Sequence, residues 1–136
     1  MNNILLIDDD EDDQLFFIDA IQSICPTLSC ETALNGQIAL DNLKINIALP
    51  DIIFLDLNMP VMNGFEFLVH INKEDKLNKI PVGIFSTSGN MREKELAKEL
   101  GARFFLTKPN DFQDLRKKLQ QILLADFSID DYFSVA

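Results

Sequence analysis

Short, nearly unbroken apolar runs alternate along this chain with longer stretches in which apolar residues recur every three or four positions. The runs are Ile4-Leu5-Leu6-Ile7, Ile52-Ile53-Phe54-Leu55, Val82-Gly83-Ile84-Phe85 and Phe104-Phe105-Leu106. Runs too apolar to alternate suit strands buried on both faces, as in a parallel sheet covered by helices. Between them, Leu15, Ile18, Ile21 and Cys25 predict a first helix stopped by Pro26. Ser29 to Leu34 predicts a second, less apolar strand at a sheet edge. Asn35-Gly36 turns the chain into a second helix carrying Ile38, Ala39 and Leu43, ended before Pro50, and Pro60 and Asn63-Gly64 precede a third with Phe67, Leu68 and Ile71. Asn90 followed by Glu93 marks a fourth helix, an N-cap with its reciprocal carboxylate, and Gly101 closes it. Phe112, Leu115, Leu119 and Ile122 share one face of a fifth. Strict alternation of five strands and five helices is the βαβ signature of an α/β fold with a parallel sheet.

Length and composition narrow this. A chain of 136 residues, 47% of them apolar, holds one domain with one core. The regular pattern covers residues 1–125, apart from a polar stretch from Asn72 to Lys79 to which no role is assigned. Residues 126–136 form an acidic, aromatic tail without a period. Its Phe127, Ile129, Tyr132, Phe133 and Val135 could dock back on the domain or meet a partner, with a frayed, partly packed terminus the simpler reading. The formal net charge of −10 argues against nucleic-acid contact, which needs clustered Lys and Arg, and fits protein or cationic partners. No basic-then-apolar leader is visible, and no apolar stretch approaches the roughly 20 residues of a membrane span. A cytoplasmic location is therefore expected, with Cys25 and Cys30 as two buried thiols rather than a disulfide.

The chemistry lies where the apolar runs end. The first runs into Asp8-Asp9, the second into Asp56, the third into Ser86-Thr87, and the last into Thr107-Lys108-Pro109. In an open α/β sheet the carboxyl ends of parallel strands share one edge, and ligands bind in the crevice there. Three carboxylates, a hydroxyl and an ammonium would then meet. Hard divalent cations such as Mg²⁺ take oxygen ligands, which Asp8, Asp9 and Asp56 supply. An Asp carboxylate shielded by such a cation can attack phosphorus to form an aspartyl phosphate. Lys108 offers a point charge to phosphoryl oxygens and Ser86 a hydrogen bond. Each element alone has a plainer explanation: an acidic turn favouring a helix N-terminus, a turn at Pro60, a loop at Pro109. Their joint occurrence on successive strand ends carries the argument.

The pair Asp8-Asp9, the run Leu55-Asp56-Leu57-Asn58-Met59-Pro60 with Asn63-Gly64, the step Ser86-Thr87 and Lys108-Pro109 together resemble the receiver domain of bacterial two-component response regulators, over about residues 2–125. The resemblance implies a flavodoxin-like, doubly wound three-layer sandwich with a five-stranded parallel sheet of order 2-1-3-4-5. It implies that Asp56 is the phosphoacceptor. Asp9 and Asp56 would bind Mg²⁺ directly with the backbone carbonyl of Asn58, and Asp8 through a water. Ser86 would be the switch hydroxyl and Lys108 the partner of the phosphoryl group. Phe105 would be the switch aromatic, without the hydroxyl of a Tyr. Thr87 stands where a small residue is usual and would narrow access.

The implied donor is a sensor histidine kinase or a histidine phosphotransfer protein, and the implied output is binding of a downstream protein target. The surface would be that of the fourth helix, fifth strand and fifth helix, exposing Arg92, Glu95, Lys98, Lys117 and Gln121. The sequence leaves open whether the domain dimerises; by the resemblance, a phosphorylation-dependent homodimer would form on the same face. Such a protein is no enzyme toward outside substrates but catalyses its own phosphorylation and dephosphorylation, here as a stand-alone receiver. Two rival readings exist. A Mg²⁺-dependent phosphohydrolase of the haloacid dehalogenase type would carry a second Asp two positions after the nucleophile, where this chain has Asn58. A receiver-like binding module indifferent to phosphorylation would usually lack the Asp or the Lys. His70, on the third helix, is expected to be structural.

Overall fold

The computed structural model describes residues 1–127 and 133–134. The elements run β1 (Asn3–Ile7), α1 (Glu11–Ile24), β2 (Ser29–Ala33), α2 (Gly36–Ile45), β3 (Ile52–Leu55), α3 (Gly64–Asn72), β4 (Val82–Ser86), α4 (Met91–Glu99), β5 (Phe104–Thr107), α5 (Phe112–Leu124) and β6 (Phe133–Ser134). The first five strands pair in parallel in the order β2-β1-β3-β4-β5. The alternation read from the sequence is therefore present, and the tail adds a sixth strand that the pattern did not predict. Two residues are too few to show a period, and β6 is specified by the free edge of β5, where Phe104 faces Phe133 and Phe105 faces Ser134.

Successive strand residues enter opposite layers, which is why the central runs read as continuously apolar. Leu5, Ile7, Ile53, Leu55, Ile84 and Phe105 pack against Ala39 and Leu43 of α2, Phe67 and Ile71 of α3, and Ala97 of α4. Ile4, Leu6, Ile52, Phe54, Phe85, Phe104 and Leu106 pack against Phe17 and Ile21 of α1 and Leu115, Leu119 and Ile122 of α5. Edge strand β2 exposes Ser29, Glu31 and Thr32, as its composition predicted.

Several helix details differ from the expectation. On α1 the buried stripe is Gln14, Phe17, Ala20 and Ile21, while Leu15 is 60% exposed. The stripe is set by Phe17, whose ring fills the space between Phe54 at 4.9 Å and Phe85 at 5.4 Å. On α2, Leu40 is buried and Ile38 is 41% exposed. Asn90 caps α4 by accepting from the Glu93 N–H, but the reciprocal bond is missing, because the Glu93 carboxylate accepts from Ser88 instead. The complete capping box lies at Asn63 and Glu66, heading α3. Cys25 and Cys30 are unpaired, half-buried thiols, not fully buried ones.

The Asn72–Lys79 stretch acquires a role. Leu77 enters the core, Glu74 pairs with Lys44 at 3.5 Å, and Asn72 Nδ2 donates to the Leu100 carbonyl at 2.6 Å, satisfying the end of α4. From the tail, Phe127 docks back: its ring lies 6.0 Å from that of Phe104 and its carbonyl accepts from Arg103 Nη2 at 3.1 Å. Ile129, Tyr132 and Val135 lie outside the described residues, as does the side chain of Phe133. Among the described residues no helix is long and apolar enough to cross a membrane.

Candidate functional site

The sheet itself delivers the polar residues at the strand ends. Each ladder continues one residue beyond its strand: Asp8 N–H donates to Ala33, Asp56 N–H to Ile7, and Lys108 N–H to Ser86, at 2.8–3.0 Å. Asp8, Asp56 and Lys108 are therefore fixed by backbone bonds at the carboxyl edge before their side chains interact. The Asp8 carbonyl is further held by Gln14 Nε2 of α1 at 2.7 Å. Behind Asp56, Gly64 opens α3 so close to the loop that a Cβ there would stand 2.5 Å from the Asp56 carbonyl oxygen. The loop also holds Val61 at φ 71°, a strained conformation for a β-branched residue.

At that edge the carboxylate oxygens of Asp8, Asp9 and Asp56 lie within 4.8 Å of one another. Asp8 is 0% and Asp56 6% exposed, whereas Asp9 is open to solvent. The Lys108 ammonium lies 2.7 Å from Asp8 Oδ2, 2.7 Å from Asp13 Oδ2 and 3.4 Å from Asp56 Oδ2. Its own burial pulls its pKa down, but the bonds to Asp13 and Asp8 outweigh this and raise it above the usual lysine range. The oxygens of Asp8, Asp9 and Asp56, gathered at this edge, are a donor set suited to a hard divalent cation.

A hydroxyl chain runs beside the carboxylates. Ser86, fully buried, lies 3.3 Å from the Ser88 hydroxyl, which accepts from Asn58 Nδ2 at 3.2 Å and donates to Glu93 Oε2 at 3.1 Å. Ser88 has one hydroxyl hydrogen and spends it on Glu93, so Ser86 is the donor in their contact. Thr87 is exposed beside this chain, and Phe105, opposite Ile84 on the neighbouring strand, is buried within the layer that α4 covers. Of the residues singled out in the sequence, the fold gathers Asp8, Asp9, Asp56, Ser86 and Lys108 at one edge, with Asn58 and Thr87 at its rim. His70 sits exposed in the last turn of α3. Asp13 and Glu93 were not among the residues singled out. Asp13 looks like any first-turn acid and Glu93 like a capping partner, so neither carries a signal in the sequence.

Burial pushes the Asp8 carboxyl up to about 6, against the lowering effect of Lys108 and the Asp10 N–H. Folding therefore favours the protonated form, and the stability this contributes is present below pH about 4 and lost as pH rises through about 6. Without divalent cations, denaturant midpoints of the wild type should fall over that window relative to Asp8→Asn, which has no carboxyl to ionise there. Parallel profiles for the two proteins would contradict this.

The family model for the response regulator receiver domain matches residues 4–120. The chain belongs to that family. Among solved receivers, the phosphorylated cyanobacterial phytochrome response regulator RcpA superposes with a TM-score of 0.81 at 28% identity, covering 89% of this chain and 90% of that one. The Mn²⁺-bound form of response regulator Rcp1 gives 0.74 at 29% identity, with coverages of 90% and 91%. The methanogenesis regulatory protein FilR2 of Methanothrix harundinacea, so named as probable, is 29% identical over 123 residues, 88% of this chain and 79% of that protein. The next two curated relatives are matched over 61% and 26% of their lengths, so the chain spans only about a quarter of the latter, a protein-glutamate methylesterase/protein-glutamine glutaminase. The receiver domain places this protein in two-component signalling, with the five-stranded order and helix layers of that fold.

Proposed function

We propose that this receiver accepts a phosphoryl group from a histidine kinase or histidine phosphotransfer protein onto Asp56 and converts it into altered protein binding. The observation that carries this is the position of the Asp56 carboxylate, nearly buried between the acidic cluster and the Lys108 ammonium. Asp9 and Asp56, with the Asn58 carbonyl and with Asp8 through a water, would hold Mg²⁺, which supplies positive charge against the carboxylates and the incoming phosphoryl oxygens. An Asp56 oxygen bonds to phosphorus while the donor's P–N bond breaks, its electron pair leaving on the imidazole nitrogen. Lys108 then offers an N–H to the phosphoryl oxygens.

The switch follows from the hydroxyl chain. Ser86 now donates toward Ser88, and turning that hydrogen to a phosphoryl oxygen on Asp56 takes from Ser88 one of the bonds it accepts, which leaves Ser88 and the Glu93 it bonds at the head of α4 less tied to β4. Phe105, behind Ser86, moves into the space released, and the α4-β5-α5 face changes shape. Arg92, Glu95, Lys98, Lys117 and Gln121 are all exposed there, where a target or a second copy would meet them. Thr87 stands at the rim and narrows the approach of the donor. Asp56→Asn is expected to take up no phosphoryl group when incubated with Mg²⁺ and acetyl phosphate, while the wild type gains one by intact mass. Equal labelling of both would place the phosphoryl group on another residue, and none on a folded wild type would turn the reading toward a binding module that does not use phosphorylation.

A further inference from the structure

Asp13 sits in the first turn of α1, where Asp10, the N-cap, accepts from the backbone N–H of both Asp12 and Asp13. That cap fixes the Asp13 backbone and delivers its carboxylate across to Lys108, 95 residues later in the chain. Lys108 has three N–H donors. Two are spent on the 2.7 Å bonds to Asp8 and Asp13, while the third reaches Asp56 only at 3.4 Å, a long and therefore weak bond. The Phe85 ring lies 5.6 Å from the same nitrogen on a further side. Asp13 is not one of the three carboxylates whose oxygens cluster as a cation site. Its carboxylate is committed to the lysine.

We propose that Asp13 is a positioning residue for Lys108: together with Asp8 it holds the ammonium aimed at Asp56 but out of short contact with it. The proposal rests on Asp56 being the phosphoacceptor. An ammonium free to close on Asp56 would bond one of its oxygens and stabilise the nucleophile before reaction. Anchored, it leaves that carboxylate only weakly bonded and keeps one N–H where an oxygen of the arriving phosphoryl group comes to lie. The bond is then stronger in the transition state than in the resting protein, and such an interaction raises the maximal rate rather than donor affinity. Half-buried Asp13 thus acts through Lys108, touching neither cation nor phosphoryl group.

Phosphorylation by acetyl phosphate in saturating Mg²⁺ should be followed for the wild type, Asp13→Asn, Asp13→Glu and Asp12→Asn. Asp12→Asn removes the same charge from the same helical turn. Asp13→Asn should lower the maximal rate about tenfold, the worth of one charge-assisted bond made in the transition state, with the donor KM unchanged. Asp13→Glu should recover most of the rate, and Asp12→Asn should match the wild type. In the protein without Mg²⁺ or donor, the Lys108 ¹⁵Nζ resonance should shift in Asp13→Asn and not in Asp12→Asn. A phosphorylated wild type with Asp13→Asn at the same maximal rate, a loss confined to KM, or an equal loss in Asp12→Asn overturns the proposal. A wild type that takes up no phosphoryl group while Asp13→Asn still shifts the Lys108 resonance overturns the phosphoacceptor reading and leaves the anchor in place.

Discussion

Gly83→Ala is expected to destabilise the protein by about 3 kcal/mol, the upper part of the range for overpacking a core. A Cβ at position 83 would stand 2.0 Å from Cε1 and Cζ of Phe104, on the neighbouring strand β5. That ring is fully buried and has nowhere to go: Phe54 lies edge-on at 5.3 Å and Phe127 at 6.0 Å on another side. Either β4 and β5 separate or Phe104 leaves its rotamer, and both disturb the strands that carry Ser86 and Lys108. For a domain of this size about 3 kcal/mol corresponds to roughly 10 °C in the thermal midpoint. The conflict is steric and local, so Phe104→Leu in the same chain should return much of the loss, giving a coupling energy of about 1 kcal/mol or more in a double-mutant cycle. Additive single effects, or a midpoint within about 2 °C of wild type for Gly83→Ala, would show that the ring moves freely.

Lys108→Met is expected to cost about 3 kcal/mol in EDTA at pH 8, the scale for breaking a buried ion pair by removing one partner. The methionine keeps much of the apolar stem, so the loss reports the ammonium. Asp8 and Asp56 are left close together and nearly dry, with Asp13 deprived of the same partner. Burial already raises the Asp8 carboxyl to about 6, and without the lysine it can escape the repulsion by taking up a proton, so the penalty should shrink toward pH 5. A divalent cation supplies the missing charge by another route. Adding Mg²⁺ should therefore restore stability more in Lys108→Met than in the wild type, through ordinary binding linkage. Under the proposed phosphoacceptor reading the same variant should lose about 100-fold in phosphorylation rate, the usual scale for deleting one charge aimed at a transition state. Denaturant melts at pH 5 and 8, with EDTA or Mg²⁺, measure the first effect, and intact mass over time the second. Unchanged stability in EDTA would remove the ion-pair account of the resting site.

Much of this was legible in residue order for a definite physical reason. Strands buried on both faces cannot alternate, so Ile52–Leu55 and Val82–Phe85 announce a parallel sheet by being uniformly apolar. A parallel sheet sends its strand ends to one edge, so Asp8, Asp56, Ser86 and Lys108 could be gathered before any coordinate was known. Helix orientation was less legible. Leu15 and Ile18 fit a helical period with Ile21 as well as Phe17 does, and the gap between Phe54 and Phe85 selects the stripe through Phe17.

By itself the sequence determined the βα alternation, the edge at which polar chemistry collects and the chemical types present there, because these follow from local periodicity and the geometry of parallel strands. Tertiary structure alone decided which groups pair across that edge. Asp13 turns to Lys108 rather than to solvent, Glu93 to Ser88 rather than to its own cap, and Phe127 and β6 to the free side of β5. Each choice depends on distances between residues far apart in the chain or on the competition of two donors for one acceptor. No local pattern encodes either.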